Sequence, residues 1–376
     1  MTKTKYSNTR ATLAIAKASL KSILRSPSAV IFSLAFPLIF ILVFGFIGGG
    51  GVSVDVGVAK TCDTINPVYQ ELKKVSVVNL IHNLSADDLN KNLSKGSIDA
   101  VLDIRNNSNK KYEKNQPPFV VNVQYTKASS KGNILKAVLS NIMNGVNSFF
   151  QKQILKTPPA PSVVQINETI VSGREYKTID FILPGQLGFS LLSTGVFGTA
   201  FVFLSLRITL VIKRFFATPV KRASIVIGEA LARITFALMG ALFIILIGHF
   251  AFGFTLVHGV VTVINMLILS TLGVIVFMGF GFVVSGIAKT ESSVPPIANI
   301  ITLPQFLLSG TFFSINAFPT WLQPISRALP LTYLNDALRK VAFEGASLAD
   351  VSQQILVMCV WCVVIYAIAV KTFKWE

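Results

Sequence analysis

The chain has 376 residues, of which 52% are hydrophobic and only 14% charged, with a mean hydropathy of +0.63 and a formal net charge of +17. That balance excludes a soluble multidomain globule and reads as a polytopic membrane protein. In a soluble protein such a charge would point to nucleic acid; here the basic residues flank long apolar runs or lie in one polar insert, so no nucleic-acid partner is expected.

From the start, Asn8 to Arg25 carries Leu13, Ala16, Leu20, Ile23 and Leu24 at helical spacing, with Arg10, Lys17, Lys21 and Arg25 mostly beside them. Residues 1–27 are therefore expected to hold an amphipathic helix on the inner leaflet, attracted by anionic membrane lipids. Ser26-Pro27 turns the chain, and no charge follows until Asp55. The first span is expected over 28–48, leaving through Gly48 to Gly51. That glycine run is not a phosphate loop, because no Lys-Ser/Thr follows it.

Residues 49–178 are of different material, polar and rich in Asn and Lys. The segments VSVDVGVAK, VSVVNLI, SIDAVLDI, FVVNVQYTK and VVQINETIV alternate as strands do. SADDLNKNLSKG reads as a short helix with Ser85 as N-cap and Gly96 beyond its end. Lys131 to Leu155 reads as a longer amphipathic helix, stopped by the prolines after Thr157. An α/β domain inserted after the first span is expected, facing outward if the N-terminus is inside.

Residues 181–206 are uncharged and form the expected second span. The stretch 207–224 then concentrates Arg207, Lys213, Arg214, Lys221 and Arg222, with Leu210, Val211, Phe215 and Phe216 as an apolar stripe and Thr218-Pro219 as a helix stop. A basic connector of this kind belongs on the cytoplasmic side. It suits either a surface-lying element or a docking knob for a soluble partner. Glu229 and Arg233, spaced i, i+4, are expected to pair where the third span begins.

No charge occurs between Arg233 and Lys289, a run too long for one helix, so spans over 225–251 and 259–287 are expected, hinged at Gly253 and Gly259. His249 and His258 stand apart from carboxylates and cysteines, so no metal site is expected. Cys359 and Cys362 lie in an apolar run and read as small packing residues. A fifth span over 293–314 is expected to be kinked by Pro295, Pro296 and Pro304. Residues 315–350 follow as half-embedded helices on the outer side, with Trp321 and Tyr333 at headgroup level. A sixth span over 351–371 completes the expected fold class: a polytopic α-helical membrane protein with six transmembrane helices, an α/β extracytoplasmic domain between helices 1 and 2, and both termini in the cytoplasm.

The segment FPTWLQPISRALPLTYLNDALRKVAFEG, from Phe318 to Gly345, resembles the signature of the type-2 ABC exporter permease family. The matching positions are Pro319, Trp321 and Leu322; Pro330, Leu331, Thr332 and Tyr333; Ala337, Leu338 and Arg339; and Gly345. The first-span segment RSPSAVIFSLAFPLIFILVFG and the KRFFATPVKRASIVIGEALA segment look like two further family motifs, and the insert is similar to the ectodomain of larger bacterial members. One departure is visible: Arg207-Ile208-Thr209-Leu210 lacks the acid that family members often carry there.

The resemblance implies a permease subunit of the bacterial inner membrane that dimerises, with an identical or a different chain, and works with an ABC ATPase subunit. It implies outward transport of drugs, lipids, polysaccharides or peptides. The first inner helix (Arg10, Lys17, Lys21, Arg25) and the segment around Lys213, Arg214, Phe215, Phe216, Pro219, Lys221, Arg222 and Glu229 are implied to meet the ATPase. No G-x-x-x-x-G-K-S/T occurs in the chain, so ATP and Mg are expected in the partner and no cofactor here. Phe189, Phe197, Asn299, Gln305 and Phe306, aromatic or polar residues within the second and fifth spans, are expected pathway-lining residues. Two alternatives stand beside this one. A ligand sensor would normally carry a signalling domain after its last span. An intramembrane lipid-modifying enzyme would need paired carboxylates or a histidine cluster, which the spans do not offer.

Overall fold

The computed structural model describes residues 7–47, 54–82, 84–95, 98–106, 119–126, 132–150, 164–171, 177–210, 220–315 and 318–373. The chain divides into two compact units, Gly49–Lys177 and the remainder, Met1–Gly48 with Thr178–Glu376.

The Gly49–Lys177 unit is a five-stranded sheet with helices. In chain order it contains β1 (Val54–Val58), α3 (Pro67–Lys74), β2 (Val78–Ile81), α4 (Ala86–Lys95), β3 (Ala100–Asn106), β4 (Phe119–Thr126), α5 (Gly132–Phe150) and β5 (Val164–Val171). The strand order is β2-β1-β3-β4-β5, parallel throughout except for the antiparallel β3–β4 pair. Period-two alternation decides which helix covers which face. Ala100, Leu102 and Ile104 join Val54, Val56, Val121 and Val123 against Leu72 of α3 and Leu135 and Leu139 of α5. Val101 points the other way, to Leu89 and Leu93 of α4. The expected cap of α4 is present: the Asp88 amide donates to Ser85 Oγ at 3.2 Å. Helix α5 spans Gly132–Phe150; the remainder of the expected Lys131 to Leu155 helix lies outside the described residues.

The helical unit begins with α1 (Asn8–Leu24) and α2 (Pro27–Ile47) and resumes with α6 (Thr178–Ile208), α7 (Arg222–Phe252), α8 (Val260–Ile287), α9 (Val294–Leu308), α10 (Gln323–Ala328), α11 (Pro330–Arg339) and α12 (Ser352–Thr372). Among the described residues four helices, α6, α7, α8 and α12, are long and apolar enough to cross a membrane. Helix α6 is the hub. Most of its side chains are enclosed by neighbouring helices. Helix α12 is the opposite, with Leu356, Val360, Val363 and Val370 exposed, as a lipid-facing surface requires.

The expected break between the third and fourth spans falls at its two glycines: Gly253 ends α7 at φ 66° and Gly259 precedes α8 at φ 53°. The helix within the expected fifth span ends early. Helix α9 covers Val294–Leu308 rather than 293–314, because Gly310 takes φ 69° and turns the chain before Thr311. The 315–350 region contains two short helices, α10 and α11, and then a π-helical turn, Lys340–Glu344, closed by Gly345 in the left-handed conformation.

Candidate functional site: the basic end of the helical unit

One end of the helical unit gathers the C-termini of α6, α8 and α12 with the N-terminus of α7. Phe203, Phe282 and Phe373 pack there, with ring centroids 4.6 to 5.9 Å apart. Arg207, the last basic residue of α6, donates from Nη2 to the Ala288 carbonyl at 2.5 Å. A cation at a helix C-terminus meets carbonyls that have no helical donor, so this contact also complements the dipole of α8. Lys221 and Arg222 sit exposed at the start of α7, and Lys289 and Lys371 are exposed close by. Lys213, Arg214, Phe215, Phe216 and Pro219 lie outside the described residues.

Helix α1 packs lengthwise on the start of α7. A Cβ on Gly228 would come 2.8 Å from Ile15 Cγ2 and 3.0 Å from the Thr12 carbonyl, so only glycine permits this approach. The face turned to α7 is thus Thr12, Ile15 and Ser19, a quarter-turn from the expected apolar stripe. Leu13 and Leu24 of that stripe lie outside this contact, 64% and 46% exposed. Arg10, Lys17, Lys21 and Arg25 are all exposed on the side away from α7. The small side chains of Thr12 and Ser19 allow two helices to approach closely, which bulky Leu13 and Leu24 would prevent.

Glu229 is not an exposed contact residue. It is 7% exposed, accepts the Ser19 hydroxyl at 2.5 Å, and stands 3.8 Å from Arg233, itself 3% exposed. The i, i+4 pair expected from the sequence is therefore present, but buried and shared with α1. Ser19 was missed because a serine beside lysines reads as a solvated position.

Away from this end, the expected lining residues separate into two groups. Phe189 of α6 and Phe306 of α9 meet with ring centroids 3.9 Å apart, and Phe36, Phe40 and Phe312 complete one aromatic cluster. Gln305 is buried, with its Nε2 3.5 Å from the Ile301 carbonyl. Asn299 is exposed and Phe197 half-buried. Sequence reasoning missed Gln186, one turn before Phe189: it is fully buried and neither side-chain amide atom has a hydrogen-bond partner among the described residues. A glutamine inside an apolar run was its visible signal.

The signature residues build the opposite end. Pro330 opens α11 at a position where its missing N–H costs nothing. Arg339, at the end of α11, donates from Nε and Nη2 to the Phe181 carbonyl, both at 3.1 Å, and to the Gly310 carbonyl, and its guanidinium stacks 3.8 Å from the Phe181 ring centroid. Asn335 donates to the Ser309 carbonyl and Thr311 Oγ1 at 3.2 and 3.3 Å. Asp180, fully buried in the first turn of α6, accepts from the Thr255 amide at 2.8 Å. Tyr333 packs half-buried against the core. These contacts strap α11, the Ser309–Thr311 turn and the α7–α8 turn to the start of α6. Among the described residues no group of three His, Cys, Asp or Glu is placed to hold a metal ion.

Comparison with known proteins gives a consistent set of likenesses. Residues 27–371 match the model of the family described as ABC-2 family transporter protein. The chain is 20% identical to the linearmycin resistance permease protein LnrN of Bacillus subtilis, over 96% of this chain and 99% of that one. It is 24% identical to ABC transporter G family member 20 of Dictyostelium discoideum over 54% of this chain, which spans 28% of that protein's length. It is 20% identical to the probable multidrug ABC transporter permease YbhR of Escherichia coli, over 56% of each chain.

Proposed function

This chain belongs to the ABC-2 family of transporter proteins, and from that footing we propose that it is the permease half of an ATP-driven exporter of hydrophobic or amphipathic compounds, worked by a separate ATPase at its basic end. Membership makes it a multi-pass transmembrane subunit of an ABC transporter rather than the ATPase itself. The names of LnrN and YbhR, a resistance permease and a probable multidrug permease, support a drug-like or amphipathic cargo moved outward.

The observation that carries the reading is the convergence of α1, Arg207, Lys221, Arg222, Lys289 and Lys371 on one end of the helical unit. Lys and Arg beside span ends orient a membrane protein with that end in the cytoplasm. In this reading α2 and α9 join the four long helices as the first and fifth of six spans, both termini lie inside, and residues 49–177, between the first and second spans, lie outside. Exposed Arg10, Lys17, Lys21, Arg25, Lys221 and Arg222, with the undescribed stretch containing Lys213, Arg214, Phe215, Phe216 and Pro219, form the ATPase-facing surface. Anionic lipid headgroups flank it. ATP and Mg belong to the partner.

The cargo path runs along α6 and α9, around Phe189, Gln305 and Phe306, with Phe197 and Asn299 at its margins. A second permease copy, identical or homologous, closes the path. Membrane vesicles containing this chain, with and without an ABC ATPase subunit, test the proposal. ATP-dependent efflux of an amphipathic dye should require both; turnover of a substrate by the purified chain alone would contradict it.

A further inference from the structure

Three helices meet at the buried Glu229–Arg233 pair. From α1, Ser19 Oγ donates to Glu229 Oε1 at 2.5 Å. Within α7, Glu229 Oε2 stands 3.8 Å from Arg233 Nη2, close enough for attraction but too far for a hydrogen bond. From α6, Gly198 offers the space for the guanidinium, since a Cβ there would collide with Arg233 Nη1. Glu229 Oε2 and the Nε and Nη2 of Arg233 have no hydrogen-bond partner among the described residues.

A buried arginine and carboxylate one helical turn apart ordinarily close into two short parallel N–H···O bonds. Here the pair stays open at 3.8 Å while Glu229 Oε1 accepts from a serine of another helix.

We propose that Glu229 is a two-position latch between α1 and α7. In the position seen, the carboxylate holds Ser19 and keeps α1 seated on α7. In the other, Ser19 lets go, the carboxylate closes on Arg233 Nε and Nη2, and α1 is released. One hydrogen bond to the charged carboxylate is exchanged for two between charged groups, at the cost of the Thr12–Ile15 packing on Gly228. Terms of opposite sign set the balance between the two positions, which a push on α1 shifts. Movement of Arg233 is felt at once by α6, because Gly198 leaves no slack on that side. The inference rests on the proposed function in one respect only: the push on α1 comes from the ATPase.

The test is amide hydrogen exchange over residues 8–24 of the full chain in lipid nanodiscs. In the chain alone, Ser19→Ala should exchange about tenfold faster, the order expected for losing one hydrogen bond to a charged group, while Ser19→Thr, which keeps the hydroxyl, should match wild type. Ser19→Ala at the wild-type rate, or Ser19→Thr as fast as Ser19→Ala, overturns the latch. With the ATPase subunit bound, ATP and vanadate should accelerate α1 exchange in wild type but not in Ser19→Ala, which is already released; no nucleotide effect in wild type also overturns it. Glu229→Gln keeps an acceptor for Ser19 and loses the charge that closes on Arg233, so α1 should stay slow with or without nucleotide. Should that variant fail to fold, the Ser19 pair decides alone. If no ABC ATPase binds the chain, the functional reading fails, and the first comparison still decides the latch.

Discussion

Ser190 of α6 donates its hydroxyl to the Ser33 carbonyl of α2 at 2.9 Å, and that carbonyl is the one Pro37, lacking an N–H, cannot engage. A proline inside a membrane helix is tolerated where a neighbouring side chain takes over the carbonyl. The contact explains why a serine occupies the buried face of α6. Ser190→Ala should cost about 1 kcal/mol in the wild-type background. In a Pro37→Ala background, the main-chain N–H restored at that position can bond the carbonyl within α2, and the same substitution should cost markedly less. Unfolding of the four chains of this double-mutant cycle in detergent micelles measures the difference.

Arg339 should be the most sensitive signature residue. Its fork bonds two carbonyls from different segments and its plane stacks on Phe181, a combination that a lysine ammonium cannot reproduce. Arg339→Ala should destabilise the helical unit by about 3 kcal/mol, taking hydrogen bonds from a charged donor with the cation–π contact. Arg339→Lys should recover less than half of that. Thermal unfolding of the three chains is the check, with binding to the ATPase retained in any fraction that stays folded.

The sheet unit should respond to acid through one residue. Glu168 of β5 accepts from Lys136 at 2.8 Å and Tyr125 at 2.5 Å, and those two contacts hold its carboxyl below the usual glutamate range. A carboxyl depressed on folding contributes stability above its unfolded pKa and loses it as the pH falls through the folded value. The three groups are largely exposed, so the effect should be small and screened by salt. Amide protection over β4 and β5 should decline on acidification below the ordinary glutamate range in wild type and be nearly flat in Glu168→Gln.

Much of this architecture was legible because it is written in local patterns. Alternation in VSVDVGVAK and FVVNVQYTK marked β1 and β4, and Gly253 and Gly259 marked the turn between α7 and α8. Glu229 and Arg233 were recognisable as a pair because i, i+4 spacing puts them on one helical face. What stayed hidden depends on which helix a face meets. Ser19, Gly198 and Gly228 carry no signal until α1, α6 and α7 are brought together. The end of α9 was also hidden, since an uncharged run continues past Leu308 and the left-handed Gly310 looks like any other glycine. Arg339 was singled out by its motif, but its targets, two main-chain carbonyls, leave no trace in the identity of Phe181 or Gly310.

Reversing the basic surface should separate insertion from coupling. Lys213, Arg214, Lys221 and Arg222 changed together to Glu should leave the chain in the membrane, because the flanking Lys and Arg of α1, Lys289 and Lys371 still orient it. Stimulation of the ATPase partner should fall at least about tenfold, as expected when like charges replace complementary ones across an interface. Unchanged stimulation in a correctly inserted chain would remove these residues from the ATPase-facing surface.

The most direct measurement is site-specific cross-linking of the assembled transporter. Single cysteines replace Lys17 or Lys221 at the basic end, and Thr320 or Ser347 at the end strapped by Arg339, in a chain whose native Cys62, Cys359 and Cys362 are changed to serine. A short bifunctional reagent is then applied in the presence of the ATPase subunit. The account expects ATPase adducts from positions 17 and 221 and none from 320 or 347. Adducts from 320 or 347, or none from 17 and 221 in a complex that hydrolyses ATP, would contradict it.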